Sequence, residues 1–477
     1  AYEIRPRDWS SDVCSSDLNF VRGFRSWVTE LYLADEWNVL PNLQLYFGLR
    51  HSMVTAPTEV NNLNTSPYDT DANNFSPRFG FAYRGLGDWV FRGSYGISFG
   101  EIFPVTYSQI RYSPPRVRAV NLQNPILTDL LRGVDLNSLN QRAALLRFNP
   151  DLATPYAHQY TLTMEHAFGP MSLTLAYLGS RSIKVFGPLV FNRAPVVPGV
   201  PLTTATVNDR RPDKSIYEDM QISNAGIAYL DAAQVNWRFR AMKGFTGGGT
   251  FTWSKAIDQG SMYNSTAANN DLIGGSQAEV NQLQDLRGLS QFDSPYALAL
   301  YGTQNLPSLR ALGKHVSSLA SKWQISTIIV SKSGTPFTLN TGSDAPGFGN
   351  VDGSGGDRPN VLNPAVLGMT VGNPDTSAQI INFKNFGYVI PGQVSGNIGR
   401  NTFRKGAIFN VNASVAREWK WGGRREYMIR FQADAYNLTN HPQFEAPQIN
   451  MTAPSFGKIT NTLNNGRVLQ LGLRLVL

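Results

Sequence analysis

The final eleven residues, RVLQLGLRLVL, set Leu469, Leu471, Leu473, Leu475 and Leu477 at alternate positions, with Gln470, Gly472, Arg474 and Val476 between them. Successive side chains of an extended chain point to opposite faces, so this strand has one face of pure leucine and one that is mainly polar. The stretch YMIRFQADAY repeats the pattern, with Tyr427, Ile429, Phe431, Ala433 and Ala435 on one face and Arg430, Gln432 and Asp434 on the other. The second face needs water, because an ion at mid-depth in lipid costs about 2–4 kcal/mol. A strand of about ten residues with one apolar and one wet face is the unit of a membrane barrel wall.

The same alternation recurs at 29–39, 43–52, 78–83, 89–99, 158–168, 172–180, 233–241, 249–257, 295–304, 322–332 and 409–419, which with the two stretches above predicts about thirteen strands. Hydrophobic residues are 42% of the 477-residue chain, yet no run approaches the roughly 18 apolar residues of a membrane-spanning helix, which excludes a helical membrane protein. The connections alternate in length. Short turns are expected at Pro41-Asn42, Gly85-Leu86-Gly87-Asp88, Gly169-Pro170, Lys243-Gly244 and Gly422-Gly423, and long polar loops at 53–76, 100–156, 181–231, 258–294, 333–408 and 437–466. Short periplasmic turns against long extracellular loops are the asymmetry of an outer-membrane barrel. Trp37, Trp89, Phe168, Phe245, Trp419 and Trp421 sit beside the short turns as an expected periplasmic aromatic girdle. Capping the core of a soluble sandwich would use such residues equally well, but periodicity, turn asymmetry and girdle together favour the membrane.

The net charge of +8 is carried by Lys and Arg scattered singly along strands, which fits a polar lumen or a lipid-facing rim and argues against nucleic acid as a partner. The one cysteine, Cys14, falls in DWSSDVCSSDL (8–18), which reads as a translated sequencing adapter. Residues 1–18 are therefore expected to be non-native, with natural protein from about residue 19 to 477 and a signal peptide lying upstream.

From about Trp27 to Leu477 the chain resembles the barrels of Oar-like TonB-dependent receptors. The resemblance rests on nine segments in order: 31–52 ending in Gly-Leu-Arg-His-Ser, 75–100 with its Pro-Arg-Phe-Gly start, TPYAHQYTLTMEH (154–166), AYLGSRS (176–182), TFTWSKAID (250–258), SGTPFT (333–338), GDRPN (356–360), SGNIGRN (395–401) and AYNLTNHPQF (435–444). It implies uptake of an unknown extracellular ligand, energised by the TonB complex through a plug. It also implies outer-membrane lipid and the barrel assembly machinery as partners. Plugged transporters have about 22 strands, so the plug, the TonB-contacting segment and the first strands are expected outside this sequence. Thirteen strands alone would leave two open edges, which membranes do not tolerate. Leu477 also departs from the family's usual terminal aromatic residue.

No catalytic constellation is apparent, so an enzyme is not expected. His51, His158, His166, His315 and His441 are dispersed, and each reads as a lone lumen or rim residue rather than a metal ligand. The glycine-rich GFTGGGT (244–250) and GSGGD (353–357) lack the context of a phosphate loop. Asp69, Asp71 and Asn73 alternate as in a calcium loop but lack its glycine and distal glutamate. Asp357 and Arg358 are loop charges with no assigned role. Tyr107, Tyr112, Phe348 and Tyr388 could stack against a sugar or peptide, or pack loop against loop. The expected function is ligand uptake, the alternative an adhesion barrel or passive pore; no cofactor is implied.

Overall fold

A computed structural model describes residues 22–102, 104, 107, 110, 143–260, 283–307, 321–354, 356–422 and 427–476. Thirteen long strands form its wall: β1 (Val28–Leu40), β2 (Leu43–Val54), β3 (Phe75–Arg84), β4 (Val90–Phe99), β5 (Tyr156–Phe168), β6 (Met171–Phe191), β7 (Ile216–Met242), β8 (Phe245–Asp258), β9 (Tyr296–Asn305), β10 (Gln324–Lys332), β11 (Ile408–Trp421), β12 (Tyr427–Tyr436) and β13 (Val468–Val476). Each pairs with the next in chain order, every pairing is antiparallel, and β1 and β13 are not paired with each other. Two short segments complete a 15-stranded sheet: Ala143–Phe148 lies parallel to β7 and Gly288–Leu289 pairs with β8.

Turn chemistry explains the short connections. At β7–β8, Lys243 and Gly244 both take positive φ, 48° and 81°, as a two-residue hairpin turn with the twist of its strands requires. A Cβ on Gly244 would also stand 2.7 Å from the carbonyl oxygen of Asn305. Gly169, with φ 57°, opens the β5–β6 turn. Gly423 of the β11–β12 turn lies outside the described residues.

The register sorts the wall into two faces. One carries Arg92, Ser94, Thr161, Thr163, Gln234, Asn236, Thr250 and Thr252; it is the lumen. The other carries rows of cross-strand neighbours such as Phe91, Met164, Leu175, Val235, Phe251 and Leu298, and below them the girdle with Trp89 stacked on His166 at 4.6 Å. Leucines 469, 471 and 473 of β13 expose 70–75% of their surface. Among the described residues, the large side chains that are almost fully buried, such as Leu339, Phe386 and Phe403, lie in the loops or, like Ile222, in the part of a strand that extends beyond the bilayer. A soluble protein places them the other way round. The apolar wall is covered by lipid, and the core that excludes water by its own packing stands outside the membrane.

Two expectations need correction. The strands expected at 172–180 and 233–241 run on to Phe191 and back to Ile216, so much of the segment taken as a 181–231 loop is a hairpin rising out of the membrane. Bilayer thickness limits a span to about ten residues. Beyond the bilayer nothing does, and β6 and β7 keep pairing through register shifts around Gly226. The segments 333–408 and 437–466 are likewise more than polar loops, because they hold a hydrophobic core.

Candidate functional site

The lumen face is polar and internally paired. Glu30 binds Arg50 across β1 and β2, Arg92 binds Glu165 at 2.7 Å across β4 and β5, and Arg430 binds Glu418 at 3.3 Å across β12 and β11. These are half-exposed pairs, worth about 0–1 kcal/mol each. They orient charge along a wet surface more than they hold the wall together. An apolar island interrupts this surface on β9 and β10, where Tyr301, Ile328 and Val330 are 46%, 52% and 37% exposed. At the extracellular end of β1–β4 a cavity of about 130 Å³ is lined by Glu30, Arg50, Arg78, Asp69, Asp71 and Asn74.

Above the lumen the loops fold into a cap with two cores. One gathers Phe337, Leu339, Val366, Val371, Ile381, Phe386, Ile398, Phe403, Met451 and Phe456 from the β10–β11 and β12–β13 connections. The other gathers Tyr68, Tyr107, Phe148, Leu152, Phe186 and Ile222. Buried ion pairs fasten the first core to the β8–β9 connection: Arg358 to Asp285, Arg404 to Asp293, and Arg400 to Asp258 at 2.5 Å. Arg400 also donates from Nε to the carbonyl of Leu286 at 2.6 Å, and Asn401 donates to the carbonyl of Leu289 at 2.7 Å.

Three of the segments that carry the family resemblance meet in this cap, and a fourth runs from the end of β12 toward it. SGTPFT supplies Phe337 and Thr338, whose hydroxyl bonds the Asn401 side chain at 2.9 Å. GDRPN supplies Arg358, SGNIGRN supplies Ile398 and Arg400, and AYNLTNHPQF supplies Asn437, whose carboxamide oxygen accepts from the His441 amide at 3.0 Å.

A second fastening joins the tip of the β6–β7 hairpin to residues 344–357. Arg193 pairs with Asp352 at 3.3 Å, Arg210 donates to the carbonyls of Val351 and Pro195 at 2.5 and 2.9 Å, and Arg211 donates to those of Asn192 and Gly353 at 2.8 and 3.2 Å. Burial pushes the Asp357 carboxyl up to about 7 and, with the charge of Asp352 beside it, Asp344 up to about 6. Both values lie above the ordinary carboxylate value, so the folded loop holds its protons more tightly than an unfolded one. The stabilisation is fully present below about pH 4 and is lost as pH rises through 6 and 7. Amide exchange at 344–357, corrected for its intrinsic pH dependence, is therefore expected to be faster at pH 8 than at pH 5; equal protection at both would contradict the burial of these carboxyls.

The sequence-derived candidates disperse over this geometry. Asp357, 3% exposed, accepts from the Asn350 amide, and Arg358 is 2% exposed, so both are buried in the cap rather than open to solvent. Tyr107 is buried against Phe24 at 5.2 Å and packs loop on loop. Phe348 and Tyr388 meet edge to face at 4.8 Å, with Phe348 38% exposed. Tyr112 and His315 lie outside the described residues. His51, His158 and His166 occupy the outward face near its two rims, so the lumen alternative does not hold for them. His441 sits in the cap. Asp71 accepts from the Thr154 amide at 2.7 Å, and among the described residues no three His, Cys, Asp or Glu side chains are placed to hold a metal ion. The arginine fastenings were not legible in the sequence, since nothing local marks a loop arginine that will meet an aspartate 73 or more positions away.

A family model described as "Outer membrane beta barrel domain" matches residues 61–470. No curated protein matches the chain. Among solved structures, the outer membrane transporter YddB from Escherichia coli aligns with 94% of this chain and 45% of its own at 11% identity, with a TM-score of 0.49. The FrpB iron transporter from Neisseria meningitidis aligns with 95% and 46% at 11% identity and 0.44. The siderophore receptor PiuA from Acinetobacter baumannii aligns with 94% and 43% at 12% identity and 0.41. The chain thus spans less than half the length of these structures.

Proposed function

The chain belongs to the outer membrane beta barrel domain family and lies in the outer membrane of a Gram-negative bacterium, and from that premise we propose that it is the barrel of a TonB-dependent receptor, taking up an extracellular ligand at the expense of the inner-membrane TonB complex. The observation that carries this reading is the lumen face: a wide, charged, water-compatible surface interrupted by the apolar island of Tyr301, Ile328 and Val330. An adhesion barrel that only displays its loops has no use for such a lumen. A passive pore has no reason to show apolar side chains to water, whereas a plug domain seated on the island removes them from it. The sheet points the same way: among the described residues its two edge strands have no partner, and a barrel completed to about 22 strands encloses a lumen that must be plugged to avoid a leak. The nine segments resembling Oar-like receptors supply the link to TonB.

The test needs no knowledge of the ligand. In the full-length receptor with Ile328→Cys, a membrane-impermeant maleimide added to intact cells is expected to label slowly, faster when the TonB complex is energised, and slowly again after the proton-motive force is collapsed. Rapid labelling indifferent to energy would instead establish an open pore.

A further inference from the structure

Six rows of cross-strand neighbours can be followed across the outward face of β5–β8. From the extracellular side the first is His158, Arg181, Tyr229 and Ile257, and the second is Tyr160, Gly179, Asp231 and Lys255. The third holds Leu162, Tyr177, Ala233 and Trp253, the fourth Met164, Leu175, Val235 and Phe251, and the sixth ends on Phe168, Met171 and Phe239 in the periplasmic girdle. His158 is ten residues from Phe168 on one strand. At about 3.4 Å per residue and a tilt near 40°, that is about 26 Å along the membrane normal, the height of the apolar band of an outer-membrane barrel. The first row therefore stands at the depth of the outer-leaflet headgroups, and the second lies about 5 Å below it, within reach of the headgroups for a lysine side chain that extends upward.

What occupies that depth is a constructed cluster. Asp231 accepts two bonds from Arg181 Nη2, at 2.9 and 2.8 Å, and a third from the Tyr177 hydroxyl at 2.7 Å. Arg181 Nη1 donates to the carbonyls of Ser180 and Leu230 at 2.9 and 3.0 Å. The guanidinium lies between two aromatic rings, 5.7 Å from the centre of Tyr160 and 5.3 Å from that of Tyr229. Gly179 makes this possible: a Cβ there would stand 2.1 Å from the Tyr160 ring, so only glycine lets the ring lie across the strand. On the other side of Asp231 its register partner is the exposed Lys255, which makes no ion pair among the described residues. Two cations thus flank one carboxylate, which Arg181 and Tyr177 already occupy, and the patch keeps a net positive charge facing lipid. Charged groups on a lipid-facing wall are rare unless they have a task.

We propose that this patch is a binding site for the phosphorylated headgroup of an outer-leaflet glycolipid, with Lys255 as the cation that meets the phosphate and Arg181, held in place by Asp231, as its fixed neighbour. Charge complementarity and depth together select this occupant, since an anionic phosphate is the counter-ion available at that height and basic side chains at a membrane surface attract it. The residues Tyr177, Gly179 and Arg181 of AYLGSRS then have a shared purpose on the lipid side of the wall, whatever the lumen carries.

The test is native mass spectrometry of the full-length protein extracted from outer membranes and titrated with diphosphorylated lipid A or with the same lipid stripped of phosphate. The folded protein is expected to retain the phosphorylated lipid preferentially. Lys255→Glu, on an exposed side chain, is expected to weaken that retention about thirtyfold, and Lys255→Arg to preserve it. Heat-modifiability on gels confirms that each variant is folded. Equal retention of the two lipids, retention unchanged in a folded Lys255→Glu, or occupation of the patch by a second copy of the protein would each overturn the assignment.

Discussion

Arg400→Ala is expected to loosen the extracellular cap by about 3–5 kcal/mol, the cost of leaving one member of a buried ion pair without its partner. Both side chains are almost wholly out of solvent, 2% exposed for Arg400 and 8% for Asp258. The arginine also holds the carbonyl of Leu286, so its loss strands a carboxylate and a carbonyl in the region where the β8–β9 connection meets the core of the β10–β11 connection. The wall, with its continuous ladder, is unaffected. In the full-length protein, amide exchange of residues 396–405 is expected to accelerate by roughly two to four orders of magnitude while exchange in β11 and β12 stays constant. Asp258→Asn in the same background is expected to recover part of the loss, because it removes the unpaired charge. An acceleration below tenfold would mean that packing alone holds the cap.

Two substitutions one residue apart are expected to behave oppositely. Val235 lies on the outward face between Leu175 and Phe251, in the fourth row counted from the extracellular rim, and Val235→Arg is expected to cost about 2–4 kcal/mol as a charge near the bilayer midplane. Gln234 points to the lumen and bonds the Thr252 hydroxyl at 3.1 Å. Gln234→Arg puts the same side chain into water and is expected to change stability by less than about 1 kcal/mol. Urea-dependent refolding of the full-length protein into vesicles measures both. A similar cost at both positions would show that the two faces have been assigned wrongly, and with them the positions of lumen and lipid.

The pair also shows why the wall was readable at all. A barrel strand lies between two solvents, and each residue answers to the one it faces, so polarity alternates with period two whatever the neighbouring strands are. The thirteen strands expected from alternation are the thirteen found, in the same order and with boundaries shifted by a few residues wherever the bilayer sets them. The girdle tryptophans could be placed for the same reason, since a residue beside a short periplasmic turn has nowhere to be except the interface.

The cap obeys no such rule. Phe337, Val371, Ile398, Phe403 and Met451 are separated by unequal stretches of polar chain and converge only because the wall brings the ends of their loops together. Arg400 and Asp258 are 142 positions apart, and neither is marked by its neighbours. The rim cluster falls between these cases: alternation places Tyr177 and Arg181 on one face of β6, but that Asp231 would meet them and leave Lys255 uncompensated depends on the register of β7 against β6 and β8. Local polarity answers to solvent and is written residue by residue. Which strand slides to which register, and which loop closes on which, are properties of the assembled chain. The membrane wall was therefore contained in the linear pattern, whereas the cap, its fastenings and the lipid-facing site came into being only when distant segments were brought into contact.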